Sequence, residues 1–270
     1  MVKELPINQI ICGDCVEVMK SWSEECIDLT VTSPPYDDLR DYRGYTFDFE
    51  SIARELYRVT KPGGVVVWVV GDSTTNFCES LSSFKQALFF VEDCGFNLLD
   101  TMIYYKKNYA PAYPTLKRYA NQFEYMFVFS KGKPKTFNPI QKPKVRNKEE
   151  KVAFRQQDGS LIRKTKDEGR ETKDASNVWE YSTGGSCTKD KIAFNHPAIF
   201  PEKLAEDHII SWSNPGDIVF DPFLGSGTTA KMALLNGRNY IGIDISEEYC
   251  EIARRRVEQA QAQQSLFAEA

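Results

Sequence analysis

Apolar and polar positions alternate along this chain in blocks that change period. The stretch QIICG, from residue 9, reads as a short strand, CVEVMKSW (15–22) as one or two helical turns, and CIDLTVTS (26–33) as a second strand. Residues 50–60 place Ile52, Leu56 and Val59 at helical spacing. KPGG (61–64) predicts a turn into VVVWVVGD, whose unbroken apolar run suits the middle of a parallel sheet covered on both faces. SSFKQALFFVEDCGF reads as a helix, and LLDTMIYYKK and EYMFVFSKG as two more strands. From 131 to 191 the periodicity dissolves into charge, Gly, Ser and Thr. It returns with PEKLAEDHIISWS, a helix with a proline at its start. The stretch from Gly216 to Ser246 then reads strand, glycine-rich turn, helix, turn, strand, and a last helix starts near Glu247. The pattern predicts an α/β protein with an insert of about 60 residues over 131–191.

Charge sharpens that division. The net charge of -4 looks unsuited to a polyanionic partner. Residues 131–191, however, hold sixteen Lys/Arg and nine Asp/Glu, and the rest of the chain eighteen and twenty-nine. An acidic body with a basic insert attracts phosphate locally. The mean hydropathy of -0.44 is ordinary for a globular protein. No apolar run reaches membrane-spanning length, and the first twenty residues carry Glu4, Asp14 and Glu17, unlike a signal peptide; the expectation is a cytoplasmic protein. Of the seven cysteines, Cys12 and Cys15 form a CxxC-like pair but no second pair follows at metal-ligand spacing, and the odd number disfavours a disulfide framework, so no metal is expected.

Two stretches carry candidate chemistry. In VFDPFLGSGTTA (219–230), Gly225 and Gly227 permit a tight turn between a strand and a helix N-terminus. Asp244 ends the next strand, where an acid can accept both hydroxyls of a ribose. The turn has neither a GK[ST] nor a GxGxxG, so an adenosine ligand without a phosphate chain fits better, and S-adenosylmethionine is one. The other stretch is DLTVTSPPY (28–36), where Pro34 and Pro35 stop a strand and stiffen the chain at its end.

Together these motifs resemble the amino-methylating DNA methyltransferases of the N4-cytosine and N6-adenine types, in the permuted order that places the catalytic tetrapeptide before the cofactor loop. TSPPY (32–36) resembles the catalytic motif in its serine form, DPFLGSGTT (221–229) the cofactor loop, and GRNYIGIDISEEY (237–249) the strand with the ribose acid. HPAIFPEKLAEDHI (196–209) resembles the segment enclosing the methionine end, and GDCVEVM (13–19) the segment whose acid borders the adenine. The resemblance implies a Rossmann-like, S-adenosylmethionine-dependent methyltransferase fold with a mostly parallel sheet. Its catalytic half would be 1–130, its target-recognition insert 131–191 and its cofactor-binding half 192–270. It implies catalytic roles for Ser33, Pro34, Pro35 and Tyr36, and cofactor contacts from Asp14, Phe200, Lys203, Asp221, Phe223, Gly225, Gly227, Thr228 and Asp244. Contacts to duplex DNA are expected from Arg40 and Arg43 in the loop after the motif, and from Lys133, Lys135, Lys142 and Lys144. Ser33 and the Pro34 carbonyl would accept hydrogen bonds from the target amine, with Tyr36 stacked on the flipped base. His196, before Pro197, reads as pocket structure.

The serine form leans toward N4 of cytosine, because a hydroxyl can donate to the ring nitrogen while accepting from the amine. N6 of adenine offers the same pair of groups and stays open, as does an inactive nucleic-acid-binding protein on the same fold. No Pro-Cys pair is present, which disfavours covalent attack through a thiolate. A paired restriction endonuclease, and a monomer or weak homodimer, are compatible with this family.

Overall fold

The apolar run from Val65 to Val70, all of it buried, lies inside an eight-stranded sheet. The structure is a computed structural model that describes residues 4–35, 47–110, 117–144, 151–165, 171–188, 190, 192–193 and 199–268. In chain order its elements begin with β1 (Gln9–Cys12), α1 (Cys15–Lys20), β2 (Ile27–Thr32), α2 (Phe49–Val59) and β3 (Thr60–Val70). The short hairpin strands β4 (Thr74–Thr75) and β5 (Cys78–Glu79) precede α3 (Ser82–Glu92), β6 (Asn97–Lys106) and β7 (Phe123–Ser130). Then come β8 (Gln141–Pro143), β9 (Lys151–Arg155), β10 (Leu161–Thr165), β11 (Thr172–Asp174) and β12 (Val178–Tyr181). The chain closes with α4 (Glu202–Trp212), β13 (Ile218–Asp221), α5 (Thr228–Leu235), β14 (Asn239–Asp244) and α6 (Glu247–Ala268).

The sheet order is β1-β14-β13-β2-β3-β7-β6-β12. Only β7 runs against its neighbours; the other pairings are parallel. This is the expected Rossmann-like arrangement with a mostly parallel sheet. From β2 the chain crosses through α2 to β3, and from β13 through α5 to β14, in opposite directions along the sheet. Right-handed crossovers that diverge in this way place their helices on opposite faces. Val66, Trp68 and Val70 join the buried cluster of Leu56, Phe90 and Phe129, while the intervening valines turn to the other face. Helix starts are marked locally: Asp14 caps α1 by accepting from the Glu17 N–H at 3.0 Å, and Asp48 caps α2 through the Ser51 N–H at 3.2 Å.

Two expectations change. KPGG is not a turn before the strand; it forms an irregularity inside β3, whose partners along β2 shift from Ile27↔Thr60 to Leu29↔Val65. Gly63 takes a φ of +79° there, and a Cβ on Gly64 would stand 2.8 Å from Thr60 Cγ2. The expected insert is also narrower as a structural unit. Residues Pro139–Ser176 form a separate compact unit, while 131–138 and the described residues from 177 onward pack in the main one. β12 is the eighth strand of the main sheet, with Trp179 and Tyr181 buried and its alternate residues exposed. Its four-residue alternation is too short to stand out amid the charge around it. Among its described residues the smaller unit holds two antiparallel ribbons, β8–β11 and β9–β10.

Candidate active site

β2 and β13 are adjacent and parallel, and their outgoing chains diverge. In an open α/β sheet such a switch point leaves a crevice at the carboxyl ends of the strands, where ligands bind. Both candidate motifs start there: Thr32 ends β2 and leads into Ser33, Pro34 and Pro35, and Asp221 ends β13 and leads into the glycine-rich turn. Thr32 Oγ1 donates to Asp221 Oδ1 at 2.6 Å across a separation of 189 residues. Thr229 Oγ1 on α5 donates to the Val31 carbonyl at 3.2 Å, a second tie between the two motifs. Pro34 is buried, and Ser33 and Pro35 are half-buried. Tyr36, Arg40, Arg43 and His196 lie outside the described residues.

Asp221 is buried, and burial pushes its carboxyl up to about 6 despite hydrogen bonds from Thr32, Thr229 and the Phe223 N–H. Phe223 is half-buried, its ring centroid 5.7 Å from that of Phe47 and 6.2 Å from that of Trp68. Gly225 and Gly227 take positive φ values of 52° and 84°. A Cβ on Gly227 would fall 2.7 Å from the Ala253 Cβ on α6, so only glycine lets the turn rest against that helix. Asp244, at the end of β14, accepts the Gly225 N–H on Oδ2 and the Ser246 N–H on Oδ1, each at 2.9 Å. Its backbone carbonyl accepts the Gly13 N–H at 2.9 Å, which brings Asp14 to the same edge.

The glycine-rich turn rests on a buried cation that the sequence did not mark. Arg256 on α6 is fully buried and donates to the Ser226 carbonyl at 2.6 Å, Ser226 Oγ at 3.0 Å and Thr228 Oγ1 at 3.2 Å. The same guanidinium binds Asp190 at 2.7 Å and Glu202 at 2.8 Å, and Lys231 binds Glu202 at 2.8 Å. Burial alone would raise the Asp190 carboxyl, but the hydrogen bond and charge of Arg256 hold it below the ordinary range. Within the charged run ARRRVEQ, helical phase was the available signal, since Arg256 falls in the buried stripe of Ala253, Val257 and Ala260.

Other expected residues are dispersed. Asp14 is exposed and occupied as the cap of α1. Lys203 is paired on its own helix with Asp207 and Glu206, and Phe200 is half-buried just before α4. Lys133 and Lys135 are at the amino ends of the parallel strands, the opposite end from the crevice. The reversed strand β7 returns the chain to the amino end of β3, where the Lys135 N–H donates to the Gly63 carbonyl at 2.9 Å. Lys142 and Lys144 belong to the smaller unit.

The crevice therefore presents a stiff Pro-Pro strand end, a glycine turn with a strand-terminal acid, and a buried carboxyl suited to a cationic group. The profile of the family described as DNA methylase, covering N6 and N4 enzymes, matches residues 27–255. An orphan methyltransferase, M.BamHII of Bacillus amyloliquefaciens, is 59% identical over 251 residues, covering 91% of this chain and 90% of its own. Among solved structures, the PvuII DNA methyltransferase, described as cytosine-N4-specific, aligns with a TM-score of 0.69 at 20% identity, covering 94% of this chain and 89% of that one. M1.HpyAVI, solved as a complex with SAM, aligns at 0.59 with 26% identity over 92% of this chain and 98% of that one.

Proposed function

From the N6/N4 DNA methylase family, to which this chain belongs, we infer that the protein transfers a methyl group from S-adenosylmethionine to the exocyclic N4 amine of cytosine in duplex DNA. The juxtaposition of Ser33-Pro34-Pro35 with Asp221 across the β2–β13 switch point carries this reading. The residues present suit the cofactor. Gly225 leaves the backbone of the turn open to a ligand while Gly227 seats the turn on α6, Asp244 lies where a ribose would be held, and Asp221 offers a buried carboxylate to the methionine ammonium. Phe223 and Thr228 flank the same turn, with Phe200 and Lys203 at the α4 end. S-adenosylmethionine bound there supplies an electrophilic methyl on a sulfonium.

The chain's own work is orientation. An exocyclic amine is a poor nucleophile because its lone pair is delocalised into the ring. The Ser33 hydroxyl and the Pro34 carbonyl accept its hydrogen bonds and favour positive charge on nitrogen during attack, and Tyr36 stacks on the base. The surplus proton then leaves to water. Flipping the base out of the duplex costs roughly a few kcal/mol of stacking and pairing. Residues 139–176 are read as the target-recognition unit. The 59% identical relative carries the name orphan methyltransferase, and this reading requires no paired nuclease.

Incubation with labelled S-adenosylmethionine and mixed duplex DNA, digestion to nucleosides and chromatography with mass detection tests the proposal. N4-methylcytosine is expected. N6-methyladenine would overturn the base assignment, and unlabelled DNA the activity.

A further inference from the structure

The smaller unit contains a ribbon exposed on both faces. β9 and β10 pair Leu161 with Arg155, Ile162 with Phe154 and Arg163 with Ala153. Every residue from Ala153 to Arg163 is exposed. Its geometry is nonetheless well defined. The turn is closed by Gln156 N–H to the Ser160 carbonyl at 2.8 Å and Gly159 N–H to the Gln156 carbonyl at 3.0 Å. Asp158 Oδ1 accepts from the Ser160 N–H at 2.9 Å and from its hydroxyl at 2.7 Å, so the acid at the tip is engaged locally. The Phe154–Ile162 pair sets the register from one face. Strand alternation assigns Ala153, Arg155, Leu161 and Arg163 to the other, with one guanidinium per strand. Gln156 and Gln157 occupy the tip.

Two further facts point to a polyanion. Residues 139–176 carry eleven Lys/Arg against seven Asp/Glu. At the foot, Lys142 is directly opposite Lys173 in the β8–β11 ladder. Like charges in that position repel, and a phosphate between them removes the penalty. Dimensions select the polyanion. Strands about 4.8 Å apart make a ribbon that fits the major groove of B-DNA, about 12 Å wide, and not its minor groove of about 6 Å. The deep, narrow major groove of duplex RNA excludes it.

We propose that the β9–β10 ribbon enters the major groove of the DNA substrate, with Arg155 and Arg163 reading guanine edges and Gln156 and Gln157 an adjacent base pair, while Lys142 and Lys173 hold the backbone. The inference rests on the reading of the chain as a DNA methyltransferase. It adds the element that reads, the groove, and the division between base-reading and phosphate-holding residues.

The test uses the full chain and a randomised duplex library, scored by which sequences are methylated and, separately, by which are retained in a binding selection without cofactor. R155A, R163A and their double variant are compared with K142A/K173A. The arginine variants are expected to relax preference at one or two base pairs by roughly tenfold. The lysine variant should weaken all sequences alike and flatten the salt dependence. R155K keeps the charge and loses the bidentate fork, so it should keep affinity and lose preference. Unchanged preference in the arginine double variant, with an unchanged melting curve, would overturn the proposal. A wild type that transfers no methyl to DNA defeats the activity reading instead, and the binding selection then still decides the ribbon.

Discussion

Ser33 follows Thr32, the residue that bonds Asp221 across the two strands, yet the expected contributions of Ser33 and Asp221 differ. Ser33→Ala removes the acceptor proposed for the target amine and leaves the glycine turn untouched. It should lower single-turnover rate on the order of 10²-fold while S-adenosylmethionine affinity by calorimetry stays within about twofold; equal losses in both would show that Ser33 supports the cofactor. Asp221 makes a prediction about pH. Its carboxyl holds a proton up to about 6 in the folded chain, against about 3.9 for an ordinary aspartate. Folding therefore takes up a proton between those values. The stability this contributes is present at the acid end and lost as pH rises through about 6, by at most about 3 kcal/mol. Urea titrations of the cofactor-free protein should show that slope and D221N should flatten it. Saturating S-adenosylmethionine should reverse the trend if its ammonium meets the carboxylate.

At the scale of elements, the glycine turn is held by its surroundings. Arg256 joins α6 to Ser226 and Thr228, and to carboxylates at residues 190 and 202. Arg256→Met leaves two half-buried carboxylates with Lys231 as their remaining cation and strands the Ser226 carbonyl inside the fold. A loss of about 3–5 kcal/mol is expected in denaturant unfolding. Arg256→Lys should recover only part of it, because one ammonium cannot reach four partners arranged for a planar fork. Full recovery would mean that charge alone matters there. The turn itself was legible in the sequence because glycine, strand and acid follow one another locally. Its support was not, because an arginine within ARRR announces solvent until the helix phase is aligned with its buried stripe.

For the whole molecule, the division at 139 and 176 makes a prediction. Replacing Pro139–Ser176 with a flexible Gly/Ser linker should leave a main unit that melts cooperatively and binds S-adenosylmethionine with unchanged affinity. Sequence-selective methylation should be lost. A main unit that fails to fold would show that the smaller unit supports the sheet. The basic character of the insert was readable, but its extent was not. β12 leaves the charged stretch to become the last strand of the sheet, and residues 131–138 run along the end away from the crevice. Among the described residues, no helix is long and apolar enough to cross a membrane.

The amino-acid sequence by itself determined most helices and strands of the main unit, though not β12 or the short β4–β5 hairpin, together with the two motifs and their order and the sorting of charge into a basic middle, because periodicity, turn chemistry and composition are written over a few neighbouring residues. Only the tertiary structure decided that Thr32 and Asp221 touch across 189 residues, that Arg256 is buried beneath the glycine-rich turn, and that residues 131–135 follow β7 to the amino end of β3. Those outcomes depend on strand order and on the reversal of β7. Strand order comes from how distant apolar faces pack against one another, and no local window of the chain contains that information.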